Sequence, residues 1–144
     1  MATEHPPTKA LRAKTRHVRA VEALLRRAYG KPWHFNKRDP LSELVFIILS
    51  TQTREPEYRR TFAALWQRYR SWDAVRRAPA RTIERLIKLG GFALRKTRLL
   101  KALLAKVHED HGTTSLRFLR QLDDSSATAY LQGLPGVGPK TARC

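Results

Sequence analysis

The chain has 144 residues, 42% of them hydrophobic, which supports one ordinary core and excludes a disordered basic tail. Its 29 Lys and Arg against 12 Asp and Glu give a formal charge of +17, which repels itself in a compact state and calls for an anionic partner. The single cysteine, Cys144, excludes an internal disulfide framework and a multi-thiolate metal site, and no apolar run approaches the roughly 20 residues of a bilayer span.

Residues 1–38 hold ten basic and two acidic residues, a net +8 that leaves +9 for residues 39–144. A polyanion touching a broad surface fits this spread, and nucleic acid is the obvious one. A generically basic soluble protein is the plain alternative. Met1 to Ala20 is Arg-rich without an apolar h-region, so it is not a secretory signal. Residues 1–16 read as a basic flexible arm rather than a transit peptide. The setting reads as intracellular and reducing, cytoplasmic and nucleoid-associated in a bacterial source, with no membrane partner.

Helical periodicity runs through the rest. Val18, Val21, Leu24, Leu25 and Ala28 recur at helical spacing before Gly30, predicting a helix over 17–30. Asp39 as cap and Pro40 at the first helical position signal the next start. Leu41 to Leu49 is apolar on nearly every side, predicting a central, fully buried helix. A strand over Val45–Leu49 is set aside because no second strand exists to pair with it. Tyr58, Phe62, Leu65, Trp66 and Tyr69 share one helical face. Ser71 caps a short turn carrying Trp72 and Val75, which Pro79 ends. Ile83, Leu86 and Ile87 form a short helix stopped by Gly90 and Gly91. Leu99, Leu100, Leu103, Leu104 and Val107 stripe a longer one ending before Gly112. Leu116, Leu119 and Leu122 predict a further short helix. Core packing accounts for all these stripes. The fold class is all-α, an orthogonal bundle of short helices.

The chemistry concentrates in Asp123 to Cys144. Asp123 and Asp124 can cap a helix holding Ala127, Tyr130 and Leu131, with Gly133 as its left-handed stop. Leu134-Pro135-Gly136-Val137-Gly138 makes a tight turn, and Pro139 opens a new helix with Lys140 and Thr141 in its first turn. This is a helix–hairpin–helix. Its glycines let the backbone approach a ligand, and the second helix's N-terminal N–H groups and dipole suit a phosphate. Leu134 and Val137 plug the hairpin.

The run L-P-G-V-G-P-K-T-A at 134–142 resembles the helix–hairpin–helix of the endonuclease III family of DNA glycosylases, and the similarity extends over about residues 39–144. The resemblance implies base-excision activity with abasic-site lyase chemistry on damaged or mismatched pyrimidines. It makes Lys140 the match for the nucleophile that attacks C1′ of the flipped-out nucleotide and forms a Schiff base. An amine does this when burial and neighbouring charge lower its pKa, and the helix start and Arg143 act in that direction. Leu49-Ser50-Thr51-Gln52-Thr53 resembles the family's L-S-x-Q-x segment, which makes Gln52 the wedge that fills the gap left by the base. The loop Gly90-Gly91-Phe92-Ala93 matches a second, apolar wedge. Gly91 stands at the expected bulky position, so Phe92 takes the part. Arg95 and Lys96, at the following helix start, suit DNA backbone contacts, as do Leu134, Gly136, Val137, Gly138 and Thr141 of the hairpin. The implied partner is double-stranded DNA containing a damaged base or an abasic site, bound by a monomer.

Two departures stand out. The family's catalytic aspartate lies beyond the hairpin in a V-D-T-H-like segment, and no residue here takes that role. Many members also hold a [4Fe–4S] cluster on four cysteines near the C-terminus; none of those is present, so no cofactor is expected in this chain and the cluster belongs to a full-length protein. Cys144 reads as a small buried hydrophobe. Pro139–Cys144 makes under two turns of helix. The expected organisation is therefore a basic arm at 1–16, a helix at 17–30 that packs on a missing C-terminal segment, and a truncated glycosylase domain at 39–144. A non-catalytic DNA-binding hairpin module is the alternative, and an RNA-binding helical protein has charge alone in its favour. An unpartnered Val21/Leu25 stripe predicts poor solubility or marginal stability for the chain alone. A cooperative, monomeric melt near about 60 °C would argue against that.

Overall fold

The computed structural model describes residues 9–30 and 36–143, and within them every regular element is helical. The chain divides into two compact units, 1–35 and 36–144. In the first, α1 spans Lys9–Tyr29. It starts eight residues before the expected helix, because nothing between Lys9 and Tyr29 opposes a helix and Lys, Arg, Ala and Leu favour one. The part of the expected arm at 9–16 is therefore helical. Gly30, at φ +76°, ends α1 as expected, and Val18, Val21, Leu24 and Leu25 are exposed.

The second unit begins on its best start signal. Asp39 accepts hydrogen bonds from the Ser42 amide (2.9 Å) and hydroxyl (2.7 Å) and so caps α2, Pro40–Ser50, with Pro40 in its first turn. Such a cap contributes about 1 kcal/mol. The segment is a helix, not a strand. Its burial is one-sided: Leu41, Leu44, Val45, Ile48 and Leu49 are buried while Phe46 and Ile47 are half-buried.

α3 (Glu55–Tyr69) packs on α2, burying Leu65, and ends at Arg70 in the left-handed region. α4 (Trp72–Arg77) starts at once, capped by the Ser71 hydroxyl. The Trp72 Nε1–H donates to Ser42 Oγ (2.8 Å), which fixes α4 against the start of α2. α5 (Ala80–Ile87) follows Pro79 and runs into a 3₁₀ turn at Lys88–Gly90. α6 (Ala93–His111) packs on α2, α4 and α5 and buries Leu100, Leu103, Leu104 and Val107. Fully burying side chains of this size stabilises by about 1.5–3 kcal/mol each, far more than helix propensity supplies to elements this short. Lys101 on α6 donates to the Arg76 and Ala78 carbonyls and closes the end of α4.

The leucines at 116, 119 and 122 do not make an α-helix. Leu119 lies in a 3₁₀ turn, Arg117–Gln121, flanked by Leu116, which is buried, and Leu122, which is 41% exposed. α7 (Asp124–Gln132) is capped by Asp123, which accepts from the Ser126 amide (3.0 Å) and hydroxyl (2.7 Å). Gly133 is not a left-handed stop: its φ is −75°, and the positive φ falls three residues later, at Gly136. α8 is Pro139–Ala142. Cys144 lies outside the described residues.

Tyr130 of α7 packs edge-on against Phe118 and His111 and donates to Asp110 Oδ2 (3.2 Å). Burial, with the Asp110 carboxylate beside it, pushes the phenol up to about 12. An unfolded tyrosine loses its proton near pH ~10. Tyr130 therefore favours the folded state fully below that pH, and the contribution is lost as pH climbs toward 12. Ultraviolet titration of the four tyrosines should show one late phenolate that disappears in Tyr130→Phe; superposable curves for the two proteins would refute the assignment.

Candidate nucleic-acid interface

Two turns and a hairpin build the interface, and each is held from behind by the core. At the first turn the chain leaves α2 with all four terminal carbonyls answered. Ile47 O accepts from the Ser50 and Thr51 hydroxyls, Ile48 O from the Thr51 amide, and Ser50 O from the Thr53 amide. Leu49 O accepts from the Lys96 ammonium at 2.7 Å. Helix ends leave these groups orphaned, so the accounting matters. Gln52, at the tip, is exposed and has φ +51°.

The second turn joins the 3₁₀ segment to α6. Gly90 is buried there because a Cβ would lie 3.1 Å from Thr61 Cγ2 on α3. Gly91 has φ +66°, and Phe92, at φ +49°, is 57% exposed. Besides Arg70, Gln52 and Phe92 are the non-glycine residues with positive φ among those described. Such a conformation costs on the order of 1 kcal/mol or more each and persists where surrounding contacts impose it.

Lys96 is one such contact. The sequence suggested a DNA-facing lysine; the structure buries it to 4% exposure. Its ammonium donates to Leu49 O (2.7 Å), to Gly90 O (2.9 Å) and to Thr53 Oγ1, and the Thr53 hydroxyl in turn donates to Gly90 O (2.5 Å). Burial pushes its pKa below the ordinary lysine value. With three acceptors for three N–H donors, the site satisfies the charged form. The signal was present in the sequence: position 96 stands four and seven residues before Leu100 and Leu103, on the buried stripe of α6.

At the hairpin, Leu134 (3% exposed) and Val137 (6%) are core plugs, so their side chains are withdrawn from any ligand and only the backbone is offered. Gly136, at φ +77°, packs on α6 so closely that a Cβ would lie 2.5 Å from Leu99 Cδ1 and 2.8 Å from its Cγ. Gly138 precedes α8 with no side-chain cap.

These pieces enclose a cleft of about 680 Å³. Gln52, Phe92, Arg95, Lys96, Gly136 and Thr141 line it, with Ile47, Ile48, Thr51, Arg98 and Leu99, none of which the sequence marks as a site residue. Gly91, Gly138 and Lys140 are not among the lining residues. Lys140 is exposed, in the first turn of α8, so the burial expected of a nucleophilic amine is not found. Phe92 also lines a second hollow, with Arg81, Arg85 and Lys88, and so stands on the ridge between the two. Ion pairs form elsewhere, as at Arg54–Glu57, Arg59–Glu55 and Arg76–Asp73; among the described residues no carboxylate pairs with Arg95 or Arg98. A four-thiolate iron–sulfur cluster does not fit the donors here, because the chain has one cysteine. No described helix is long and apolar enough to cross a membrane.

Comparison with known proteins bears on this geometry. No family model matches the chain. It is 36% identical over 104 residues to an Arabidopsis thaliana protein whose name assigns it provisionally to the DNA glycosylases, covering 72% of this chain and 36% of that one. The A. thaliana DNA glycosylase/AP lyase ROS1 is 29% identical over 73 residues, 51% of this chain and 5% of that one. Among solved structures, a trapped endonuclease III–DNA covalent intermediate superposes with a TM-score of 0.67 at 21% identity, over 88% of this chain and 56% of that one. By sequence the chain is a relative of the DNA glycosylases, and it shares the helix–hairpin–helix fold of endonuclease III. It spans about a third of the length of the first relative. The solved structure shows the shared fold, and within that fold Gly136 is where the family hairpin meets α6.

Gly136→Ala tests that contact. A methyl group in left-handed backbone against Leu99 should lower stability by about 2 kcal/mol or more. It would appear as a lower urea midpoint at unchanged slope. An unchanged midpoint would show that the hairpin does not depend on this approach.

Proposed function

We propose that this chain is the DNA-engaging part of a base-excision glycosylase with abasic-site lyase chemistry, acting on damaged or mismatched pyrimidines in double-stranded DNA. The observation that carries the reading is the convergence of Gln52, Phe92, Arg95, Gly136 and Thr141, from three separate stretches of sequence, on one cleft. In this reading the hairpin backbone and the basic rim hold phosphates. Gln52 enters the stack where a base has left it, offsetting part of the few kcal/mol of extrusion. Lys140 Nζ attacks C1′, the glycosidic C–N bond breaks and the base departs with its electron pair. Loss of a proton from the bound amine leaves a cyclic aminal. Its C1′–O4′ bond then opens, O4′ taking the electron pair and a proton, to give the C1′=N iminium, and β-elimination removes a C2′ proton as the C3′–O bond breaks.

The second reading, a hairpin module that binds DNA without catalysis, draws on the position of Lys140: exposed and outside the cleft lining. Binding to labelled duplexes with and without a single abasic-site analogue, across a salt series, tests both. The expected result is a preference of about tenfold for the abasic duplex that is abolished in Gln52→Ala, over a salt-dependent background common to both duplexes. Equal affinity for the two duplexes would remove the glycosylase reading. Borohydride trapping of an abasic duplex, lost in Lys140→Ala, would support the lyase step; no trapping at saturating DNA would leave the binding module.

A further inference from the structure

The contacts of Lys96 reach further than packing. Its ammonium bridges two turns 37 residues apart in sequence: Leu49 O and Thr53 Oγ1 belong to the turn that carries Gln52, and Gly90 O to the turn that carries Phe92. The Thr53 hydroxyl closes the triangle by donating to Gly90 O. Both tip residues hold strained, left-handed backbone, yet neither turn has a cysteine, a cluster of metal-ligating side chains or a strand pairing to impose it. The cleft that these turns border is lined in part by apolar Ile47, Ile48 and Leu99, and the ammonium and the hydroxyl supply the polar tie between the turns.

We propose that Lys96 is a positioning residue that couples the 51–53 and 90–92 turns, so that Gln52 and Phe92 enter DNA as one rigid, two-pronged wedge rather than as two independent loops. The proposal rests on the wedge reading given above. Extruding a base opens both strands of the stack at one step, so prongs held at fixed separation share the ordering cost that two mobile loops would meet separately. A lysine serves where a shorter or neutral group would not, because three acceptors surround one ammonium and a single lost partner would leave a buried carbonyl unanswered.

Two measurements on the full chain separate this from a purely structural role. In the first, amide hydrogen exchange is followed at Thr53 and Gly91, whose N–H groups are bonded within the two turns. Lys96→Met should accelerate both by a similar factor, about tenfold, while Leu103 and Leu104 in the core of α6 keep their protection. Thr53→Val, which removes only the bridging hydroxyl, should move both in the same direction by less, and it serves if Lys96→Met does not fold. In the second, the abasic-analogue duplex is bound by Gln52→Ala, Phe92→Ala and the double variant, with Lys96 intact and in the Thr53→Val background. With the tie intact the two losses should be non-additive, the double losing little more than the worse single; with the tie weakened they should approach additivity. Acceleration of one turn without the other would overturn the coupling whatever the DNA result. Joint acceleration with no abasic preference in the parent chain would keep the tie and overturn the proposed function instead.

Discussion

A lysine ammonium withdrawn from water costs several kcal/mol unless its protons are matched, and in this fold the matching groups come from three places. The end of α2 gives Leu49 O, the following turn gives the Thr53 hydroxyl and the 3₁₀ segment gives Gly90 O. Lys96 thus does for α2 what a basic residue in its own last turn would do, since α2 has none. It also sets where the chain turns after α2 and before α6. The interface inherits its geometry from that charge: move Leu49, Thr53 or Gly90, and a buried donor loses its acceptor.

The hairpin depends on a different constraint, an absence of atoms. Gly136 sits where Leu99 leaves no room for a Cβ, so the loop between α7 and α8 can lie directly on α6. Leu134 and Val137 anchor that loop in the same core as Leu100 and Leu103. α8 alone, four residues long, has too few hydrogen bonds to persist; its position is a consequence of the packing before it. α6 is therefore the common support, touching the first turn through Lys96 and the hairpin through Leu99.

Much of this was legible in the sequence because it depends on local rules. Caps at Asp39, Ser71 and Asp123, stops at Gly30 and Gly112, and apolar stripes on α3, α5 and α6 all follow from spacing and side-chain chemistry within a few residues. The misreadings share another origin. Gly133 looked like a helix stop, but the sharp reversal is set by the approach of Gly136 to a helix some 37 positions earlier in the sequence, which no local rule contains. Leu122 continued a leucine pattern, yet the 3₁₀ turn ends at Gln121 and Leu122 follows it in extended backbone, off the face that buries Leu116. Lys96, at the start of α6, suits a DNA backbone contact by position alone, and lysines are seldom fully buried. Its place on the α6 stripe argued the other way, but two of the three acceptors that justify burial lie 47 and 43 residues away. Arg98 and Leu99 entered the cleft by sharing a helix with Arg95, which periodicity alone shows only once the hairpin's position is known.

The electrostatics of α6 runs against helix preference, and this is what suits its start to an anion. Cations near a helix start oppose its dipole, and the first turn of α6 has no acidic residue and no side-chain cap. Arg95 and Arg98 add like charges three positions apart near that end, with no carboxylate among the described residues to relieve them. Exposed pairs such as Arg59–Glu55 contribute at most about 1 kcal/mol, so sparing the cleft such pairs forfeits little stability. What it preserves is an unneutralised cationic rim beside a cleft whose floor is Ile47, Ile48 and Leu99. Local rules are most often broken where a ligand completes the balance. A phosphate at this rim would meet both arginines and the open end of α6 together, while a base beside it would meet the apolar floor. Nucleotide chemistry joins these two requirements in one molecule, and a simple anion or an apolar ligand meets only one of them.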